Sequence, residues 1–187
     1  MRFVDEYRAP EQVMQLIAHL KSRAALLNYT AARPLRIMEV CGGHTHAIFK
    51  FGLDQLLPDN IEFIHGPGCP VCVLPMGRID SCIEIASHPE VIFCTFGDAM
   101  RVPGKNGSLM QAKSRGADVR IIYSPMDALK LAQQNPDRKV VFFGLGFETT
   151  MPATAITLQQ AHIQQVDNFF FFCQHITLIP TLRSLLE

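Results

Sequence analysis

Apolar residues in this chain fall in short unbroken runs separated by longer amphipathic stretches. The runs at 35–40, 61–65, 91–96, 119–123, 139–143 and 168–173 are mostly continuous Ile, Val and Phe rather than alternating. That is the pattern of parallel strands covered on both faces. Between them, helical spacing predicts helices over 47–57, 76–87, 108–115, 125–134 and 151–165, with a leading helix over 10–27. Ser124-Pro125 offers an N-cap followed by proline at the first helical position, Gly116 can close the preceding helix, and Pro75 can open another. The β-α-β-α order implies an α/β fold of doubly wound, mainly parallel sheets with flanking helices and right-handed crossovers. Residues 101–107, with Pro103, Gly104, Asn106 and Gly107, read as a long loop. A new strand-helix series starts at Val119, so 1–117 is read as a first α/β domain and 118–187 as the start of a similar second one. The run Phe169-Phe170-Phe171-Phe172 is followed by a helix that has only begun over 176–187. That leaves the second domain incomplete and points to the amino-terminal part of a longer protein.

Composition narrows the function classes. With 187 residues, 48% hydrophobic and 18% charged, the chain should fold around a real core. Seventeen basic against seventeen acidic residues leave no net positive field to hold nucleic acid or an anionic membrane. The first eight residues lack the apolar core of a signal peptide, and no run approaches the roughly 20 apolar residues that span a bilayer. The expected location is the cytoplasm. In that reducing compartment the six cysteines, at 41, 69, 72, 82, 94 and 173, suit metal ligands, redox thiols or core positions better than structural disulfides.

Two glycine-bearing loops gather the reactive side chains: Cys41-Gly42-Gly43-His44-Thr45-His46 after the first strand, and Gly66-Pro67-Gly68-Cys69-Pro70-Val71-Cys72 after the second. Ligands of open α/β sheets bind beyond the carboxyl ends of the strands, so neighbouring strands would bring the cysteines together. Gly42 and Gly43 free the backbone around Cys41 to adopt positive φ and to project its thiol toward the next helix N-terminus. His44 and His46 can serve as ligands, general acid/base groups or hydrogen-bond donors to a thiolate, and Thr45 as an N-cap. The Cys69-x-x-Cys72 spacing suits either a reversible disulfide or chelation of one metal. Val73-Leu74-Pro75 delays the following helix, unlike a thioredoxin-type motif, and a zinc site from Cys69, Cys72 and two of Cys41, His44 and His46 stays open. Cys82, Cys94 and Cys173 read as core residues, and His19, His88 and His162 as ordinary helix or loop histidines. Glu148, in the loop 144–150 beyond a buried strand, is a candidate base or ligand partner, with Thr149 and Thr150 as helix caps. Gly144-x-Gly146 lacks the third glycine of a dinucleotide fingerprint.

Met38-Glu39-Val40-Cys41-Gly42-Gly43-His44-Thr45-His46, Gly66-Pro67-Gly68-Cys69-Pro70-Val71-Cys72 and Gly146-Phe147-Glu148-Thr149-Thr150 resemble, in order and spacing, the HypD family of nickel-iron hydrogenase maturation factors. The resemblance covers essentially the whole chain. It implies two similar α/β domains plus a carboxyl-terminal extension, not present in this sequence, whose cysteines hold a 4Fe-4S cluster. It also implies a scaffold on which the Fe(CN)2CO group of the hydrogenase is assembled in complex with the small chaperone HypC, with cyanide delivered through HypE and HypF. Carried over, Cys41 would ligate the iron and share it with a cysteine of HypC, with Gly42, Gly43 and His46 around the bound group. Cys69 and Cys72 would be the redox pair relaying electrons between the distal cluster and the iron. His44 and Glu148 would handle protons or support the ligands. A soft thiolate suits low-valent iron that also bears cyanide and carbon monoxide. A thiol-disulfide oxidoreductase and a zinc-stabilised interaction module are the competing readings.

Overall fold

The computed structural model describes residues 9–66 and 68–187. The stretch 1–8, read above as lacking a signal-peptide core, and Pro67 of the second glycine loop lie outside the described residues. Contacts divide the chain into two compact units, one ending at Gly68 and the other running from Cys69 to Glu187.

The first unit contains α1 (Pro10–Ala24), β1 (Leu35–Glu39), α2 (Gly42–Lys50), α3 (Leu53–Leu56) and β2 (Ile61–His65). β1 and β2 pair in parallel, with Leu35 opposite Ile61 and Glu39 opposite His65. The Asn60 side-chain amide donates to the Ala24 carbonyl at 2.8 Å and ties the end of α1 to the start of β2. One sequence expectation fails here. The helix predicted over 47–57 starts at Gly42 and breaks at Gly52, which takes φ +62° before the short α3. The first turn of α2 is Gly42-Gly43-His44-Thr45 and carries no apolar residue, so hydrophobic spacing alone could not register it. Neither Gly42 nor Gly43 uses positive φ, and Cys41 is an ordinary extended N-cap residue with φ −124° and ψ 120°.

The second unit is a parallel sheet of β3 (Val91–Thr95), β4 (Val119–Ile121), β5 (Lys139–Gly146) and β6 (Phe169–His175), in the order β4-β3-β5-β6. β3 is buried along its whole length, and its side chains alternate between two cores. Val91 and Phe93 join Ile79, Cys82 and Ile83 of α4 (Met76–Ala86) and Leu109 of α5 (Leu109–Ser114). Ile92 and Cys94 join Ala128 and Ala132 of α6 (Pro125–Gln134) on the opposite face. Helices therefore cover both faces, as the continuous apolar runs predict. Phenylalanines link the strands: Phe143 lies 6.2 Å from Phe93 and 5.9 Å from Phe172, ring to ring, and Phe142 stacks on Phe171 at 5.8 Å.

Local signals hold in this unit. Ser124 and Ser108 each cap a helix in a reciprocal capping box, with Asp127 and Gln111 reaching back. Gly116 takes φ +104° just after α5. The loop expected over 101–107 begins one residue later, because Arg101 ends a 3-10 turn (Gly97–Arg101); it is held by the Gly104 N–H to Gly107 carbonyl bond at 2.6 Å and by the Asn106 N–H on Asp80 at 3.0 Å. The Asn168 side-chain nitrogen lies 2.9 Å from the carbonyl oxygens of Ala132, Asn135 and Arg138, which joins the end of α6 to the start of β6.

Two long-range expectations differ from the structure. Residues on either side of 117 share one sheet, because the chain leaves β3 for the edge strand β4 and returns across β3 to β5. The contacts separate at Gly68 instead of at the boundary read at 117. β5 also extends through Gly144 and Gly146, which pair with Cys173 and His175 of β6 instead of opening a loop. Gly144 is required there: a Cβ would collide with the edge of the Phe171 ring, 2.7 Å from Cζ, and stand 3.1 Å from His175 Cε1. No helix among the described residues is long and apolar enough to cross a membrane.

Candidate functional site

β1 ends on Glu39, and two residues later Cys41 starts α2, so strand periodicity places this carboxylate and the thiol on one face. The Glu39 side chain is 11% exposed, accepts two hydrogen bonds and faces a histidine nitrogen at ion-pair distance. Its Oε1 takes the Cys41 backbone N–H at 2.6 Å and lies 3.2 Å from His44 Nδ1, and its Oε2 takes the Thr45 hydroxyl at 2.5 Å. Because the one Thr45 hydroxyl hydrogen goes to Glu39, His65 Nδ1–H donates to Thr45 Oγ1, at 3.2 Å. Burial alone would raise the Glu39 pKa, but the bonds from Thr45 and Cys41 and the charge of His44 together outweigh it and hold the carboxyl below its ordinary value.

One carboxylate oxygen of Glu39, the Cys41 sulfur and one ring nitrogen of His44 lie within 4.8 Å of one another. The sulfur and the ring nitrogen of this group are donors that suit zinc or iron(II), while the carboxylate oxygens already accept the Cys41 N–H and the Thr45 hydroxyl. The Cys41 thiol is half-buried and free, while His44 and His46 are exposed. A Cβ on Gly43 would stand 3.7 Å from the sulfur, so glycine leaves that flank of the thiol uncovered. Gly66 allows a close approach elsewhere: its N–H donates to the Glu39 carbonyl at 2.7 Å, and a Cβ would collide with Val40 and Met38 at 2.6 and 2.9 Å. His46 lies outside the three-residue cluster. Thr45 is no N-cap: it sits inside α2 and spends its hydroxyl on Glu39.

Cys69 and Cys72 belong to the second unit, where they are joined as a disulfide across a tight turn. The Cys72 N–H lies 3.0 Å from the Cys69 carbonyl and 3.2 Å from its sulfur. Cys69 is half-buried and Cys72 exposed. Leu74, with Val71 packed against it, anchors the loop in the core before α4 begins at Met76, the delay read from Val73-Leu74-Pro75.

Glu148 has a structural occupation. Its carboxylate accepts the N–H groups of Leu178, at 2.9 and 3.0 Å, and of Ile179, at 3.3 Å, at the start of α8 (Ile179–Leu186). The Leu178 bond foremost, with further backbone bonds, holds its pKa below the usual carboxylate value. Thr149 and Thr150 lie in a 3-10 turn before α7 (Met151–Ile163), and neither side chain caps it. Of the cysteines assigned to the core, Cys82 and Cys94 are fully buried, and burial pushes both thiols up to about 12. Cys173 is a correction: near the end of the edge strand β6 it is exposed, 3.8 Å from His175 Nδ1. Sequence reasoning missed Glu39 and His65 as parts of the Cys41 site. The signal for Glu39 was an acidic residue closing an apolar strand two places before the cysteine; His65 had none, since its role depends on strand pairing.

With this geometry in view, the comparisons are specific. The chain matches the family described as "HypD: Hydrogenase formation hypA family" over residues 11–187. It is 87% identical over its full length to the hydrogenase maturation factor HypD of Escherichia coli K12, 60% identical to HypD of Rhodobacter capsulatus, and 49% identical to HypD2 of Bradyrhizobium diazoefficiens. The chain spans about half the length of these relatives, 50%, 50% and 48% respectively. A match across so much of the chain, carrying all three motifs, establishes that this protein belongs to the HypD family.

Proposed function

We propose that this chain is the iron-holding part of a hydrogenase maturation scaffold that works in the cytoplasm. In this reading Cys41 binds the iron that becomes the Fe(CN)2CO group, with the HypC chaperone supplying a further ligand and HypE, with HypF, supplying cyanide. The observation that carries it is the grouping of the half-buried Cys41 thiol with Glu39 and His44 at a strand end, in a chain of this family. The thiolate is the soft donor that low-valent iron carrying carbon monoxide favours, and one cysteine leaves coordination positions for the diatomic ligands and the partner.

Cys69 and Cys72 act as a dithiol/disulfide couple. Closing the disulfide would give up two electrons and two protons, and an external two-electron dithiol reductant would reopen it. A 4Fe-4S cluster does not fit the cysteines described here. Cys82 and Cys94 are sealed in the core, Cys173 stands apart on β6, and the one metal-competent grouping among the described residues contains a single thiol.

The test is infrared spectroscopy with metal analysis on the intact protein, purified without oxygen together with its small chaperone. Cyanide and carbonyl bands that accompany bound iron and disappear in Cys41→Ala support the scaffold reading. Stoichiometric zinc with no such bands favours a zinc module instead, and iron-independent turnover of small disulfides through Cys69 and Cys72 favours an oxidoreductase. With Cys69→Ser or Cys72→Ser, hydrogenase maturation should fail while binding of the chaperone persists.

A further inference from the structure

A carboxylate that is only 11% exposed, at the end of a strand, is costly unless its lone pairs are used, and Glu39 uses both oxygens on the loop that carries the cysteine. Its three partners are the backbone N–H of Cys41, the Nδ1 of His44 and the hydroxyl of Thr45. The first fixes the peptide that carries the thiol. The second selects a tautomer: Nδ1 faces the carboxylate oxygen at 3.2 Å, where a lone pair would be repelled, so neutral His44 carries its hydrogen there and its lone pair on Nε2. The third runs on through Thr45 to His65, so the start of α2 is tied to the carboxyl ends of both β1 and β2.

We propose that Glu39 is the positioning residue of the Cys41 site: it holds the start of α2 against the strand ends and sets the orientation of the His44 ring, one nitrogen of which lies within 4.8 Å of the thiol sulfur. This inference rests on the iron-binding reading for its purpose but not for its geometry. Glu39 acts through Cys41 and His44 and does not itself bind the iron, because its two oxygens already engage three partners. The arrangement is the carboxylate-histidine pairing that sets ring orientation and donor strength in metal sites.

Two substitutions separate geometry from charge. In Glu39→Gln the amide oxygen can keep the Cys41 and His44 bonds while the amide nitrogen donates to Thr45 Oγ1, whose hydrogen turns to His65. In Glu39→Leu no acceptor remains. Both are made in the intact protein, with folding checked by circular dichroism. Histidine-selective nitrogen-15 spectra above the imidazole titration range report the His44 tautomer, and iron per protein is measured after anaerobic co-purification with the small chaperone. Wild type and Glu39→Gln should show the Nδ1–H form of His44 and similar iron. Glu39→Leu should lose that tautomer and retain iron about 10-fold less well or worse. An unchanged tautomer and iron content in Glu39→Leu overturns the proposal, as does loss of iron in Glu39→Gln as complete as in Glu39→Leu. Should Glu39→Leu not fold, Glu39→Ala, which also removes both acceptors, takes its place in the same two measurements, and loss of iron in Glu39→Gln still overturns the proposal. Wild-type protein without iron would remove the iron-binding reading, while the tautomer comparison would still judge Glu39.

Discussion

Replacing Gly144 by alanine tests whether β5 and β6 are packed as described. Alanine in an extended strand would ordinarily be favoured over glycine by roughly 0.5–1 kcal/mol, because it restricts the unfolded chain. Here the added methyl has nowhere to go. It collides with the edge of the Phe171 ring, 2.7 Å from Cζ, and stands 3.1 Å from His175 Cε1. The ring cannot simply swing aside, since it stacks on the fully buried Phe142 at 5.8 Å and packs against the core beneath α6. Overpacking of this kind costs about 1–3 kcal/mol, which outweighs the backbone gain and sets the expected net destabilisation at about 1–2 kcal/mol. At a urea m-value of roughly 1–3 kcal/mol/M this lowers the unfolding midpoint by about 0.5–1 M with the slope unchanged. The decisive assay is a double-mutant cycle by urea unfolding of the intact protein. With the ring gone in Phe171→Ala, the same glycine-to-alanine change should become neutral or stabilising, giving a coupling of about 1–2 kcal/mol. Additivity within about 0.5 kcal/mol, or a stabilised single mutant, would refute the packing argument.

Three further outcomes are expected. Glu148→Gln, which keeps one acceptor oxygen for the Leu178 N–H, should leave hydrogenase maturation near wild type, whereas Glu148→Ala should raise amide hydrogen exchange at the start of α8; lost maturation in Glu148→Gln would restore a proton-handling role. In the reduced native protein near pH 8, thiol reagents should modify Cys173 and Cys41 while sparing Cys82 and Cys94, whose thiols burial pushes up to about 12; equal labelling of all four would show that the core opens. Asp118 is bonded by Arg120 at 2.8 Å and by Arg138 at 2.7 Å, and the Arg120 bond foremost lowers its pKa from the ordinary 3.8. Its folded value lies below its unfolded one, so its stabilisation is fully present above pH 3.8 and is lost as pH falls through the lower folded value. Acid titration of Asp118→Asn should show a shallower loss of stability in that window, and an unchanged acid limb would mean the arginine pair contributes nothing there.

How much of this was legible beforehand depends on the range of the interaction. The continuous apolar runs were sufficient for parallel strands covered on both faces, because only burial on two sides tolerates Val91-Ile92-Phe93-Cys94 without a polar break. Ser124, Gly116 and Pro75 announced helix ends because capping is settled within a few residues. Three motifs sufficed to recognise the family, since motifs are read residue by residue. Tertiary structure alone decided that β3 lies between β4 and β5, and therefore that no boundary falls at 117, because strand pairing is a long-range choice that leaves no local periodicity. It also decided which glycines are loops and which are strand: Gly144 has the same side chain in either role, and only the Phe171 ring across it dictates its place. The same holds at the site. Cys41 could be picked out from its neighbours in the sequence and Glu39 meets it through local contacts, but His65 joins them only because β1 and β2 pair in parallel and bring Glu39 and His65, 26 positions apart, to one edge.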